Sequence, residues 1–140
     1  ETVRALTERT GAAAVIAVDA IAARDTEKLC STVQISNAGI IPGSGIGNSR
    51  SALNRETLGV PVLAVGVPTV TDAATLAADL YARAGMEADE ERLRQVPDRM
   101  IVTSSDIDRR VREIARVLSF GINYALQRDI SLEDLSDLTF

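Results

Sequence analysis

Histidine is missing altogether from this 140-residue sequence. Its absence removes the usual general base near neutral pH, the Ser–His and Cys–His nucleophile pairs, and the commonest metal ligand. Tryptophan is missing as well and aromatic residues make up only 3%, which disfavours stacking platforms for bases or sugars. One cysteine, Cys30, cannot form an internal disulfide, and that fits a reducing compartment. Lysine occurs once, at Lys28, so arginine carries nearly all the positive charge. The net charge of −5 argues against a nucleic-acid partner, which is normally met with a basic excess. The stretch 60–71 is uncharged, but it is too short and too interrupted by proline to span a bilayer. No basic, apolar, small-residue leader opens the text, so the expectation is a cytoplasmic protein with no membrane partner. Any acid–base chemistry falls to carboxylates.

What is present suits one globular domain, with 46% hydrophobic and 25% charged residues. The sequence opens on Glu1 in helical-looking text, so it reads as a piece of a longer protein. Residues 1–10 place Val3 and Leu6 on one side of a helix that Gly11 ends. Residues 14–18 are apolar without a break, as in a parallel strand covered on both faces. "TVQIS" (32–36) alternates and predicts a strand with one wetter face; "VPVLAVGV" (60–67) predicts another buried one. Thr71 and Asp72 cap a predicted helix that Gly85 closes, with Ala73, Leu76, Ala77, Leu80 and Ala84 facing a sheet. Residues 86–99 read as a flexible connection. Residues 104–126 give the strongest helical period, with Ser104 or Ser105 as the expected cap. The tail, 131–140, predicts a short amphipathic turn or two. Strands alternating with helices imply an α/β fold whose mostly parallel sheet is flanked by helices.

The segment "AVIAVDAIAAR" (14–24) carries the first candidate site residue. An ionised carboxylate at the margin of an apolar strand is costly unless a neighbour wants its charge or its proton. At a strand's C-terminal end, Asp19 would stand where open α/β sheets bind ligands. It would equally serve as cap to a short helix at 20–23, stabilising it by about 1 kcal/mol. Both readings stay open on spacing alone. "GIIPGSGIGN" (39–48) offers Gly43, Gly45 and Gly47 as a nest of backbone N–H groups for an anion or a peptide carbonyl. It is neither a dinucleotide fingerprint nor a phosphate loop, because Asn48 takes the third glycine's place and no Gly-Lys-Ser/Thr follows. A flexible or tightly turned loop also explains the glycines and is the favoured reading on these residues alone. Cys30 has no histidine and only Lys28 nearby, so it reads as an inert thiol. Arg109, Arg110, Arg112 and Arg116 interleave with Asp106, Asp108 and Glu113 as on a solvated helix face.

Taken together, "VIAVDAIAAR" (15–24), "TVQISNAGIIPGSGIGN" (32–48), "RETLGVPVLAVGVPTVTDA" (55–73) and "MIVTSSDID" (100–108) resemble the germination proteases of endospore-forming bacteria. The resemblance covers most of residues 11–127 in order. It implies an endopeptidase that degrades small acid-soluble spore proteins at germination and works with two aspartates. It also implies a fold similar to the hydrogenase-maturation endopeptidases, synthesis as a zymogen with an N-terminal propeptide, and a homotetramer in the spore core. Asp19 matches one of the two aspartates; the other belongs to a motif further toward the N-terminus, so this chain alone is expected to be inactive. Gly43, Ser44, Gly45, Gly47 and Asn48 become candidates for holding the substrate chain or the developing oxyanion. No cofactor and no metal enter this reading. Asn37 and Ile41 depart from the family pattern, where an Asp and a polar residue are common. The competing reading is a non-catalytic α/β binding or assembly module, with Asp19 a helix cap and the glycines a turn.

Overall fold

The computed structural model describes residues 1–44, 50–95, 100–131 and 133–134. It divides into two units, Glu1–Ser104 and Ser105–Phe140. The first is α/β. It begins with helix α1 (Thr2–Thr10), ended by Gly11 in the left-handed region at φ 62°. Strand β1 is Val15–Ala23, and a single 3-10 turn at Thr26–Lys28 leads to β2, Gln34–Ser36. Helix α2 (Arg55–Leu58) precedes the long strand β3 (Val62–Asp72) and helix α3 (Ala73–Arg83). A short helix α4 (Glu90–Arg94) falls in the stretch read as a connection, and residues 96–99 lie outside the described residues. Strand β4, Ile101–Val102, completes the unit. The second unit is helix α5, Ile107–Leu126, followed by a turn in which Asp134 accepts from the Ser131 N–H and hydroxyl. The tail beyond Asp134 lies outside the described residues.

β3 is the axis of the sheet. β1 runs parallel to it, while β2 and β4 pair with its other side antiparallel. The sheet is therefore mixed, which corrects the mostly parallel expectation. A parallel neighbour needs a long crossover, which the chain between β1 and β3 supplies. β2 lies inside that crossover and meets β3 running the opposite way. β4, only two residues long, carries no alternation that sequence could reveal.

A second correction concerns β1. It continues through Ala20–Ala23, where the small residues predict a helix, because each has a partner on β3: Val67, Pro68, Val70 and Thr71. Pairing with a buried strand outweighs the helix propensity of alanine, a difference of tenths of a kcal/mol per residue. β3 in turn runs past Val67 to Asp72. Pro68 is tolerated inside it because the register slips there, between Ile21 and Ala22, so its missing N–H falls at an irregularity. Asp25, not Asp19, does the capping: its carboxylate accepts from the Glu27 N–H at 2.9 Å.

The core is built on β3. Val62, Ala64, Val65 and Val67 are buried, as are Leu58 at the end of α2 and Ala23 of β1. Each buried Val or Leu contributes roughly 1.5–3 kcal/mol. Thr71 is 1% exposed and its hydroxyl donates to the Ala23 carbonyl at 3.1 Å, which satisfies the buried oxygen. Asp72 ends the strand and caps α3 by accepting from Ala74 N–H. Other expectations fail by exposure. Leu80 of α3 is exposed, and β2 is exposed on both faces. In the second unit the cap position of α5 is Asp106, not Ser104 or Ser105, and it makes no side-chain cap bond. Its carboxylate instead takes the guanidinium groups of Arg109 and Arg110. Arg109 also reaches Glu113 at 2.8 Å. Arg109 and Arg110 thus form an ion-paired stretch of the helix surface, as the interleaved charges predict.

Asp79 of α3 ties the helix to the 3-10 turn by accepting the Thr26 N–H at 2.9 Å. The Thr26 side chain and backbone, with Arg83 nearby, hold its carboxyl below the ordinary value. A lowered folded-state pKa gives stability that is present above the unfolded value and lost as pH falls through the folded one. Asp79→Asn is therefore expected to lower the urea midpoint at neutral pH. The gap from the parent should close in matched melts as the pH is taken below the ordinary carboxylate range and this lowered carboxyl is protonated.

Candidate active site

Asp19 lies at the centre of β1, not at its end. Its Cα partner on β3 is Gly66, and Gly66 is in turn opposite Gln34 of β2. Residues in register share a face of the sheet, so Asp19, Gly66 and Gln34 form one row on one face. The row above holds Ala17, Ala64 and Ser36. The opposite face carries Val18, Val65 and Ile35 in register.

The direction of the peptide groups locates the Asp19 carboxylate further. Val15 N–H donates to the Pro61 carbonyl at 2.9 Å, toward β3. Peptide groups alternate sides along a strand, so Ile16, Val18 and Ala20 turn theirs to the free side of β1. Among the described residues β1 pairs with β3 alone. Asp19 Oδ1 accepts the Ala20 N–H at 3.0 Å, which brings the carboxylate to the corner between its sheet face and this open edge. No other described group hydrogen-bonds or ion-pairs with it. The residue is half-buried. Its helix-cap reading falls here, since the strand runs on through Ala23 and the only described donor is the next residue of the same strand.

Gly66 sets the height of this row. A Cβ placed on it would stand 2.9 Å from Ile21 Cδ1 and 3.2 Å from Ile21 Cγ2. The glycine thus lets the Ile21 side chain lie flat across β3 beside Asp19. Sequence reasoning passes over both Gly66 and Gln34. The available signals were a lone glycine in an apolar strand, which marks a close approach, and a polar residue in an alternating one.

The glycine-rich loop leaves β2 past Ser36, toward the end of the sheet where β1 and β3 begin. Its base is a two-bond bridge, Ile40 N–H to Leu53 O at 2.9 Å and Leu53 N–H to Ile40 O at 2.8 Å. Arg50 N–H closes a second rung onto the Pro42 carbonyl at 3.0 Å. Gly43 has φ 75° and Ser44 N–H donates to Ile41 O at 3.2 Å. Gly45, Gly47 and Asn48 lie outside the described residues. No hydrogen bond among the described residues joins Asp19 to Gly43 or Ser44. Asn54 ends the loop as the cap of α2, in a reciprocal box with Thr57. Cys30 is buried, with φ 53° and its N–H on the Pro68 carbonyl at 2.7 Å; its place is structural. Among the described residues no three acidic or thiol side chains gather as a metal site, and no helix is long and apolar enough to cross a membrane.

A family model for germination proteases matches residues 1–83. The chain belongs to the germination protease family. It is 36% identical to the germination protease of Clostridium tetani, in an alignment covering 97% of this chain and 50% of that protein. Against the germination protease of Caldanaerobacter subterraneus the identity is 37%, over 99% of this chain and 50% of the relative. The germination protease of Bacillus pumilus is 54% identical over 55% of this chain and 21% of its own length. The chain spans about half the length of the first two relatives. The matched region, 1–83, contains β1, the glycine loop and all but the last two residues of the sheet. Gly39 is the position on which the loop base is most exacting. Its φ is 84°, and a Cβ there would collide with the Leu53 carbonyl and with Asn54. Gly39→Ala should cost about 2 kcal/mol or more in a denaturant melt, through both strain and the broken bridge.

Proposed function

We propose that this chain is the part of a germination endopeptidase that carries Asp19 as one of two catalytic aspartates. The whole protein, a zymogen and homotetramer in this reading, degrades small acid-soluble spore proteins in the spore core during germination. The supporting observation is the Asp19 carboxylate at the open corner of β1, with one oxygen on Ala20 N–H and the other unengaged by described groups. A second carboxylate brought to that edge shares a proton with Asp19, because two like charges at close range do not both ionise. The ionised partner takes a proton from water as its oxygen attacks the scissile carbonyl. The protonated partner gives its proton to the departing amine, so the pair ends with the same single proton. In this reading the second acid belongs to a motif further toward the N-terminus that these 140 residues do not contain, so they are inactive by themselves.

Uncovered apolar surface beside this edge agrees with a larger assembly. Val18 is 53% exposed, Ile35 67% and Leu63 40%, on a face whose central Val65 is 4% exposed. A buried-type strand with a bare edge and bare apolar neighbours is a liability in a finished protein. In the proposed enzyme further chain or a further subunit covers it.

Asp19→Asn in the full-length gene product tests the role, with cleavage of a small acid-soluble spore protein as the readout. Turnover should fall at least about a hundredfold, while the melting temperature stays level or rises, as when a repelled charge is removed. Turnover equal to the parent's would remove Asp19 from the chemistry.

A further inference from the structure

We infer that Gln34 is a substrate-binding residue of this same site, its side-chain amide holding the main chain of an extended peptide that crosses β3 toward Asp19. The inference rests on Asp19 being catalytic. Three placements carry it. The first is the shared row, Asp19 on β1 and Gln34 on β2 with β3 between them. Strands two apart stand about 10 Å from each other, roughly the length of three residues of extended chain. That is room for a peptide group and a water between the two polar heads.

The second placement is Gly66 at the middle of the row. With no side chain of its own, it keeps the surface between the heads low, and the apolar end of Ile21 fills the space. Any larger residue at 66 would push Ile21 up into the path from Gln34 to Asp19. An apolar floor also strengthens hydrogen bonds made directly above it.

The third is the state of the amide. Gln34 is exposed, and no described group hydrogen-bonds its side chain. A primary amide offers one acceptor and two donors. That set matches the N–H and C=O of any peptide group, whatever its side chain, as a residue that positions polypeptide requires. Being neutral, it leaves the charge on Asp19 undisturbed. Ser36, the polar neighbour one row away, already has its hydroxyl oxygen on the Ala38 N–H at 3.1 Å.

The experiment compares Gln34→Ala and the near-isosteric Gln34→Met with the parent and with Asp19→Asn, all in the full-length gene product. Steady-state cleavage of a small acid-soluble spore protein and thermal melts are the readouts. The expected result is a KM raised about three- to tenfold in both Gln34 variants, the loss of a hydrogen bond or two to substrate. The kcat should hold within about twofold and the melting temperature should not move, since the side chain has no partner to lose. An unchanged KM in both variants, or a loss of activity that tracks a lowered melting temperature, overturns the inference. If those results come with an inactive Asp19→Asn, the proposed function survives and only Gln34 is dismissed. If Asp19→Asn retains full turnover, both readings fall together.

Discussion

The parallel pairing of β1 with β3 is the constraint on which the rest of this chain depends. It holds nine residues of β1 against the most buried strand of the protein. It carries the four residues after Asp19 into the sheet, the three alanines among them against their own helical preference. The slip at Pro68 shows how firmly the pairing is held: register resumes on the far side, and Ala23 still meets Thr71 with a buried hydroxyl-to-carbonyl bond. Because the pairing is continuous, Asp19 is fixed in rotation as well as position. Its side chain shares a face with Gly66, and the N–H that follows it, on Ala20, points away from β3.

An acid fixed this way is neither buried nor free. One oxygen satisfies an edge N–H that would otherwise offer itself to a foreign strand, and no described group engages the other at the corner of the sheet. The carboxylate therefore needs no ion-pair partner within the chain to be tolerated, which is the usual reason a charge stands beside a core. The cost deferred in this way falls on the surroundings. Among the described residues the edge has no second strand and the neighbouring apolar side chains remain wet, a combination that suits a chain spanning about half the length of its relatives.

The glycine loop is held by different means. Its base is closed by backbone bonds between Ile40 and Leu53, and Gly39 supplies the left-handed backbone beneath them. A helix cap with a reciprocal box fixes the far side at Asn54. The loop is thus anchored at its root independently of Asp19, so the acid and the loop are two separately built features of one sheet.

Much of this was legible from residues alone. The apolar runs at 14–18 and 60–67 declared strands, Gly11 and Gly85 marked helix ends, and Asp72 its cap, since each of these is a local backbone preference. The motifs around "VIAVDA" and "ETLGVPV" were specific enough to give the family, and Asp19 stood out as a charge against an apolar run. Local preference could not say where β1 stops, because the alanines at 20, 22 and 23 obey partners far along the chain, Val67, Val70 and Thr71, rather than their own propensity. Nor could it orient β2, a segment of three paired residues whose direction depends on the path of the intervening chain. The row of Asp19, Gly66 and Gln34 is invisible in one dimension for the same reason. Its members become neighbours only through strand register, a property of pairs of segments that no single segment contains.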